Sequence, residues 1–253
     1  MLPDEFDGLR DKRVKRNLNI VKARNLRTFL ICKRIIRKLV MRQNALLISI
    51  YVILAVLEFL PIPFPARMIF PLLWLTVCAM YQRQWALTAA LFFSFLGDVM
   101  GWRNELIPQI GFFALAQIVY IVILCLLRPP KTTWPLWFRI ILLLLVAAVY
   151  GIAMNWIFPR VEDRFIAWGI AVYAVLLLGM CYSALRHRNA CLMIGATLFV
   201  VSDFILGIHL FVQKVPHSTL CIMVPYYLGQ LLLFVGMSRA CAHTRYLFNM
   251  PRA

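Results

Sequence analysis

Acidic side chains are scarce in this sequence: ten Asp and Glu stand against 27 Lys and Arg in 253 residues. Charge of either sign is thin as well, at 15%, while 63% of the residues are hydrophobic. A soluble domain carries nearer a quarter charged and half apolar residues, so that class is excluded. The seven cysteines (32, 78, 125, 181, 191, 221 and 241) form no CxxC or comparable ligand spacing, and most lie in apolar segments. There Cys acts as a small hydrophobe, so neither a disulfide framework nor a metal site is predicted, and no cofactor. No GxSxG elbow, HExxH helix or Walker loop occurs. The first 45 residues hold no apolar h-region, so no cleavable signal peptide is expected.

What the chain has in abundance is basic charge, with a formal net of +17. Such a balance suits nucleic acid, but its placement does not. Thirteen Lys and Arg lie between Arg10 and Arg42, and the rest sit almost entirely in short gaps between apolar runs. That is the charge pattern of a membrane topology, so no nucleic-acid partner is expected. Residues 1–25 are polar with few aromatics and predict disorder. From about Leu26 to Val40, Phe29, Ile31, Cys32, Ile35, Ile36, Leu39 and Val40 share one side of a helical wheel. Arg27, Lys33, Arg34, Arg37 and Lys38 take the other, which predicts a basic in-plane helix on anionic lipids.

Apolar runs follow at about 44–60, 66–82, 84–101, 107–127, 136–157, 165–185, 190–212 and 219–238. Each approaches the roughly 20 residues that cross a bilayer. Pro61, Pro63, Pro65, Pro129, Pro130 and Pro159 fall in the gaps, where a missing backbone donor costs little. The expected fold is an all-α membrane protein. Residues 1–42 form a basic tail with the amphipathic helix at about 26–40, 43–240 an eight-helix transmembrane bundle, and 241–253 a short cytoplasmic tail. With the N-terminus inside, 22 Lys and Arg are cytoplasmic and five (Arg67, Arg103, Arg160, Arg164 and Lys214) are not. The sign obeys the positive-inside rule and puts both termini in the cytoplasm. The expected membrane is a bacterial inner membrane or an endoplasmic reticulum, and the oligomeric state stays open.

Outside the tail and the loops, the acids reduce to Glu58, Asp98 and Asp203, in or at the ends of apolar helices. An ionised carboxylate in hydrocarbon is costly, which makes each a functional candidate by default. Glu58 is the weakest, because it stands beside the Pro-rich loop and reaches the interface. Asp98 sits in LFFSFLGDVMG with Ser94 one turn before it, and Asp203 in GATLFVVSDFILG with Ser202 beside it. Small flanking residues allow close helix approach and turn the carboxyls into the bundle. Both helices, the third and the seventh, run from inside to outside, so the two acids can face each other at similar depth. Two carboxyls in one water-poor pocket do not both ionise comfortably; one holds a proton and the other stays anionic. Such a pair serves acid-catalysed chemistry through an oxocarbenium-like cation, or proton-coupled transport. Spacing alone leaves both open. Gln117 and Tyr120 share a helix face, as do Tyr226 and Gln230, with Tyr227 adjacent, and Tyr173 is a further candidate on an apolar helix. His209, near the outer end of its helix, reads as an interfacial group.

At these residues the chain resembles the YhhN-like lysoplasmalogenases. LFFSFLGDVMGWRN followed by IGFFALAQIVYI is similar to the family's first signature, and GATLFVVSDFILGIHLF followed by VPYYLGQLLLFVG to its second. The likeness is strongest over about 91–120 and 195–236 and leaves out the first 42 residues. It implies hydrolysis of the vinyl ether bond of a lysophospholipid substrate within the membrane, giving a fatty aldehyde and glycerophosphoethanolamine or glycerophosphocholine. Asp98 and Asp203 would be the catalytic pair. Ser94, Gln117, Tyr120, Tyr173, Ser202, Tyr226, Tyr227 and Gln230 would line the substrate or its water. Relatives often carry His where this chain has Gln117, and an amide does not titrate, so the acid–base work would rest on the aspartates. A transporter or flippase of an amphiphilic lipid, or a non-catalytic relative, is the competing reading.

Overall fold

A bilayer core offers no water to backbone amides, so an apolar chain that crosses it must close its hydrogen bonds within helices. The computed structural model describes residues 45–60, 67–127 and 134–248, and among them every regular element is helical. The chain divides at Ile50 into two units. The described part of the first is the helical stretch 45–50, and Tyr51–Ala253 holds everything discussed below. The basic tail with its amphipathic helix, and the loops at 61–66 and 128–133, lie outside the described residues.

The elements are α1 (Ala45–Leu57), α2 (Phe70–Tyr81, entered by a 3₁₀ turn at Arg67–Ile69), α3 (Trp85–Trp102) and α4 (Leu106–Leu126). There follow α5 (Leu136–Ile157, running into a second 3₁₀ turn, Phe158–Arg160), α6 (Arg164–Leu185), α7 (Ala190–Phe211) and α8 (Ser218–Phe248). Among the described residues six helices, α3 to α8, are long and apolar enough to cross a membrane. The eight helices match the expected count, and six of them are clear spans of a multi-pass membrane protein. Within the described residues the apolar runs at 44–60 and 66–82 hold the shorter helices Ala45–Leu57 and Arg67–Tyr81. At 1.5 Å per residue these cover about 20 Å each, short of the roughly 30 Å hydrocarbon core. At the other end α8 continues through Phe248, past the apolar run that closes at 238.

Local chemistry fixes the ends. Asp163 Oδ1 accepts the Phe165 amide at 2.7 Å and caps α6, while Asn189 Oδ1 accepts the Cys191 amide at 3.0 Å and caps α7. Four short connections turn through one left-handed residue each: Arg83, Asn104, Arg188 and His217, with φ between 50° and 60°. A single residue there reverses the chain between antiparallel neighbours. At the α6–α7 turn, Arg188 stacks on Trp134 at 4.3 Å and His187 Nε2 donates to the Leu124 carbonyl at 2.7 Å. Burial and the adjacent Arg186 pull His187 below the ordinary imidazole pKa, against the Leu124 contact, so its neutral form is favoured.

Packing is tightest between α7 and α8 and between α3 and α4, with α6 closing on α4. Small residues set these distances. Gly195 and Gly229 bring the α7 and α8 backbones together, and Gly97 admits the Phe113 ring of α4 against α3. α5 is different: its exposed Leu143, Leu144, Leu145 and Ile152 face outward, as a lipid-contacting helix does.

Candidate active site

The close approach of α3, α4, α6, α7 and α8 leaves a cavity of about 450 Å³. Its wall is mainly apolar, with Ile110, Phe113, Leu206, Leu210 and Met223, and it holds both Asp98 and Asp203. Asp98 lies four residues before the end of α3 and Asp203 eight before the end of α7. At 1.5 Å per residue they lie about 6 and 12 Å below those helix ends. The cavity also reaches Asn104, Leu106 and Gln109 of the α3–α4 turn and Phe211 at the end of α7. It therefore runs from the carboxyls toward the end of the bundle that carries these turns.

Each carboxyl is held by a tyrosine from another helix. Tyr226 of α8 donates its hydroxyl to Asp98 Oδ1 at 2.8 Å, and Tyr173 of α6 donates to Asp203 Oδ2. A hydroxyl donor from a neighbouring helix fixes the orientation of each carboxyl. Tyr226 is itself fixed by edge-on packing, with ring centroids 5.5 Å from Phe199 and 6.2 Å from Phe113. Asp98 is 4% exposed, whereas Asp203 is half-buried at the wall.

Ser202, next to Asp203, donates to the Ile222 carbonyl of α8 at 2.9 Å, beside Pro225 in the same helix. It ties α7 to α8 at the level of the carboxyls. Thus five of the ten residues expected from the sequence line the cavity: Asp98, Asp203, Tyr173, Ser202 and Tyr226.

The other five stand behind it. Tyr120 donates to Gln230 Oε1 at 2.9 Å, and its hydroxyl lies beside Ser94. Ser94 spends its own proton on the Ala90 carbonyl one turn back, at 3.1 Å. Gln117, fully buried, lies beside the Tyr173 hydroxyl, yet neither of its amide atoms makes a hydrogen bond of good geometry. Tyr227 turns the other way. Its hydroxyl donates to the Met68 carbonyl at 3.1 Å and its own carbonyl accepts from Tyr51 at 2.8 Å.

Sequence reasoning passed over Asn104, Gln109 and Phe113. Their signal was a spacing match: Gly97 and Gly101 are four apart on α3, and so are Gln109 and Phe113 on α4. A Cβ at Gly97 would stand 2.8 Å from the Phe113 ring, and one at Gly101 would stand 2.7 Å from Gln109 Nε2. Two glycines thus cut the groove in which the α4 side chains lie.

A cavity with two carboxyls and two tyrosines, walled by apolar side chains, suits proton transfer to an apolar molecule. Known proteins are similar to part of this sequence. The chain is 28% identical to human "Lysoplasmalogenase TMEM86B" over 158 residues, 61% of this chain and 64% of that protein. The pig protein of the same name is 28% identical over 157 residues, with the same coverage. Bovine "Lysoplasmalogenase TMEM86A" is 26% identical over 154 residues, 56% of this chain and 61% of the relative. The match thus spans less than two-thirds of each relative. No solved structure matches. The YhhN family model matches residues 62–237, which take in the cavity and all ten residues above. The chain belongs to the YhhN family.

Proposed function

We propose that this chain is a lysoplasmalogenase that cleaves the vinyl ether of a lysoplasmalogen by acid catalysis with Asp98 and Asp203. The observation that carries the reading is the pairing itself: two carboxyls, each oriented by a tyrosine hydroxyl, on one apolar cavity. The relatives' names point the same way. A vinyl ether needs a proton on carbon. One carboxyl delivers it to the alkenyl carbon remote from the ether oxygen, and an oxocarbenium ion forms at the other. The second carboxylate stabilises that cation and takes a proton from the attacking water. The hemiacetal then collapses: its C–O bond to glycerol breaks, the glycerol oxygen gains a proton, and the aldehyde leaves. The depth of the carboxyls fits this bond, which joins the glycerol to its chain just below the membrane surface. About 450 Å³ lies in the usual range for a site holding one small ligand.

The test is mass spectrometry of purified protein incubated with a lysoplasmalogen or its alkyl-ether analogue. Aldehyde is expected from the first alone, because the analogue has no double bond to protonate. In deuterium oxide the aldehyde should carry one deuteron on the carbon next to its carbonyl and form more slowly. Lipid flux in proteoliposomes without any aldehyde would replace this reading with transport.

The same proposal includes the orientation. With both termini cytoplasmic and α1 and Arg67–Tyr81 completing eight passages, the α3–α4 and α7–α8 turns lie on the far side of the membrane. The cavity would then draw substrate from the outer leaflet. On a background without native cysteines, a Cys at Arg160 should react in intact cells with an impermeant reagent. Reaction of a Cys in the N-terminal tail under those conditions would overturn the orientation.

A further inference from the structure

The hydrogen-bonding groups on the cavity wall are unevenly spent. Tyr226 and Tyr173 give their hydroxyls to the two carboxyls, and Ser202 gives its own to the Ile222 carbonyl. Two side-chain amides remain on the wall, those of Gln109 and Asn104, and neither bonds to a described residue. Asn104 is exposed at the end of the bundle, where water serves it. Gln109 is half-buried and held in place. A Cβ at Gly101 would stand 2.7 Å from its Nε2, so the amide lies across bare α3 backbone. One turn further along α4, Phe113 fills the matching space at Gly97, next to Asp98. Gly101 is three residues beyond Asp98, which sets the Gln109 amide about 4.5 Å from the level of that carboxyl, toward the α3–α4 turn. No described Lys or Arg lines the cavity, so its wall offers no cation to a phosphate. A primary amide accepts and donates, which matches a neutral hydroxyl.

We propose that Gln109 is a specificity residue of this site, whose amide holds the free hydroxyl on the glycerol carbon next to the ether-bearing one. The assignment deepens the hydrolase reading and rests on it for the identity of the ligand. In a lysoplasmalogen the vinyl ether and the free hydroxyl sit on adjacent glycerol carbons, and the headgroup follows on the third. With the ether at Asp98 and Asp203 and the headgroup toward the turns, the hydroxyl falls at the level of Gln109. The amide oxygen accepts the hydroxyl proton, while the nitrogen keeps a donor for the oxygens that follow toward the headgroup. A lipid esterified at its second position has no proton to give there. It leaves the amide oxygen in the half-buried wall without a partner, which costs binding. Gln109 thus favours a single-chain ether lipid over its two-chain parent. It touches no reacting carbon and carries no proton of the reaction.

Binding of uncleavable lipids tests this without turnover. The probe is a tritiated 1-alkyl-glycerophosphocholine on the full chain in detergent. It is displaced by the same lipid unlabelled, or by its 2-deoxy analogue, which has hydrogen in place of the hydroxyl. The wild type should bind the hydroxyl-bearing lipid about tenfold tighter, since a site built to bond a hydroxyl rejects the analogue that lacks it. Gln109→Met keeps the length of the side chain but not its hydrogen bonds, and should bring the ratio near one by weakening the hydroxyl-bearing lipid alone. Gln109→Ala, which only removes atoms, should do the same should the Met variant fail to fold. Gln109→Glu, still an acceptor, should keep the preference. The ratio compares two lipids on one protein, so a general loss of fold lowers both affinities and leaves it unchanged. Equal binding of the two lipids by the wild type overturns the proposal, and so does failure to bind either. A preference that survives Gln109→Met or Gln109→Ala overturns it as well, because the hydroxyl would then be held elsewhere. A tenfold preference in a protein that releases no aldehyde from lysoplasmalogen would keep the hydroxyl site and remove only the hydrolase reading.

Discussion

Asp98→Asn and Asp203→Asn are each expected to lose most vinyl ether cleavage, about 10²–10⁴-fold, while remaining folded and monodisperse. Asparagine keeps the size of the side chain and can still accept the tyrosine hydroxyl, so Tyr226 and Tyr173 retain partners. What it loses is the transferable proton and the negative charge. The two carboxyls work on one cation in one cavity, so the double variant should be scarcely slower than either single one. Independent roles would instead multiply the two losses. Turnover by purified protein, normalised to the folded fraction in size-exclusion chromatography, is the measurement. Near-normal rates in both single variants would remove the two-carboxylate mechanism.

The sequence exposed the carboxyls because an acid among apolar residues has few bland explanations, and only Glu58, Asp98 and Asp203 met that description. It also exposed α3 to α8, whose apolar runs are long and end at charged or Pro-bearing gaps. The span count was harder. Pro61, Pro63 and Pro65 break the chain between two apolar runs, and hydropathy alone does not say how much of either run stays helical. Tertiary partners were harder still. Tyr226 lies 128 residues from Asp98, and no local pattern links them. Tyr226 and Tyr227 looked equivalent as neighbours, but adjacent helix positions point about 100° apart. One therefore holds a carboxyl and the other a carbonyl near α2. Gln109 and Phe113 carry no charge and stood out only once the glycines facing them were placed.

The strongest structural effect is expected where α7 meets α8. A Cβ on Gly195 would stand 2.9 Å from the Leu233 amide nitrogen and 3.0 Å from the Gly229 carbonyl oxygen. A Cβ on Gly229 would stand 2.9 Å from the Gly195 carbonyl oxygen and 3.1 Å from the Phe199 nitrogen. These neighbours are backbone, which cannot swing aside as a flexible side chain would. Gly195→Ala and Gly229→Ala should therefore each lower stability by about 1–3 kcal/mol, and the Val variants by more. Gly111→Ala and Gly169→Ala are the controls, since a Cβ there meets nothing within 4 Å. Alanine should leave those two helices as stable or firmer by up to about 1 kcal/mol. The cost at Gly195 and Gly229 should reach the site as well. The Ser202–Ile222 bond and the Phe199–Tyr226 contact cross the same interface, and Tyr226 holds Asp98. Forcing the helices apart by even a few tenths of an ångström should thus depress turnover in the fraction that stays folded. Thermal unfolding in detergent, read beside turnover at a temperature where all variants are folded, separates the two effects. If Gly195→Ala melted with the wild type and with Gly111→Ala, the close α7–α8 approach would not be what holds the carboxyl end of the bundle together.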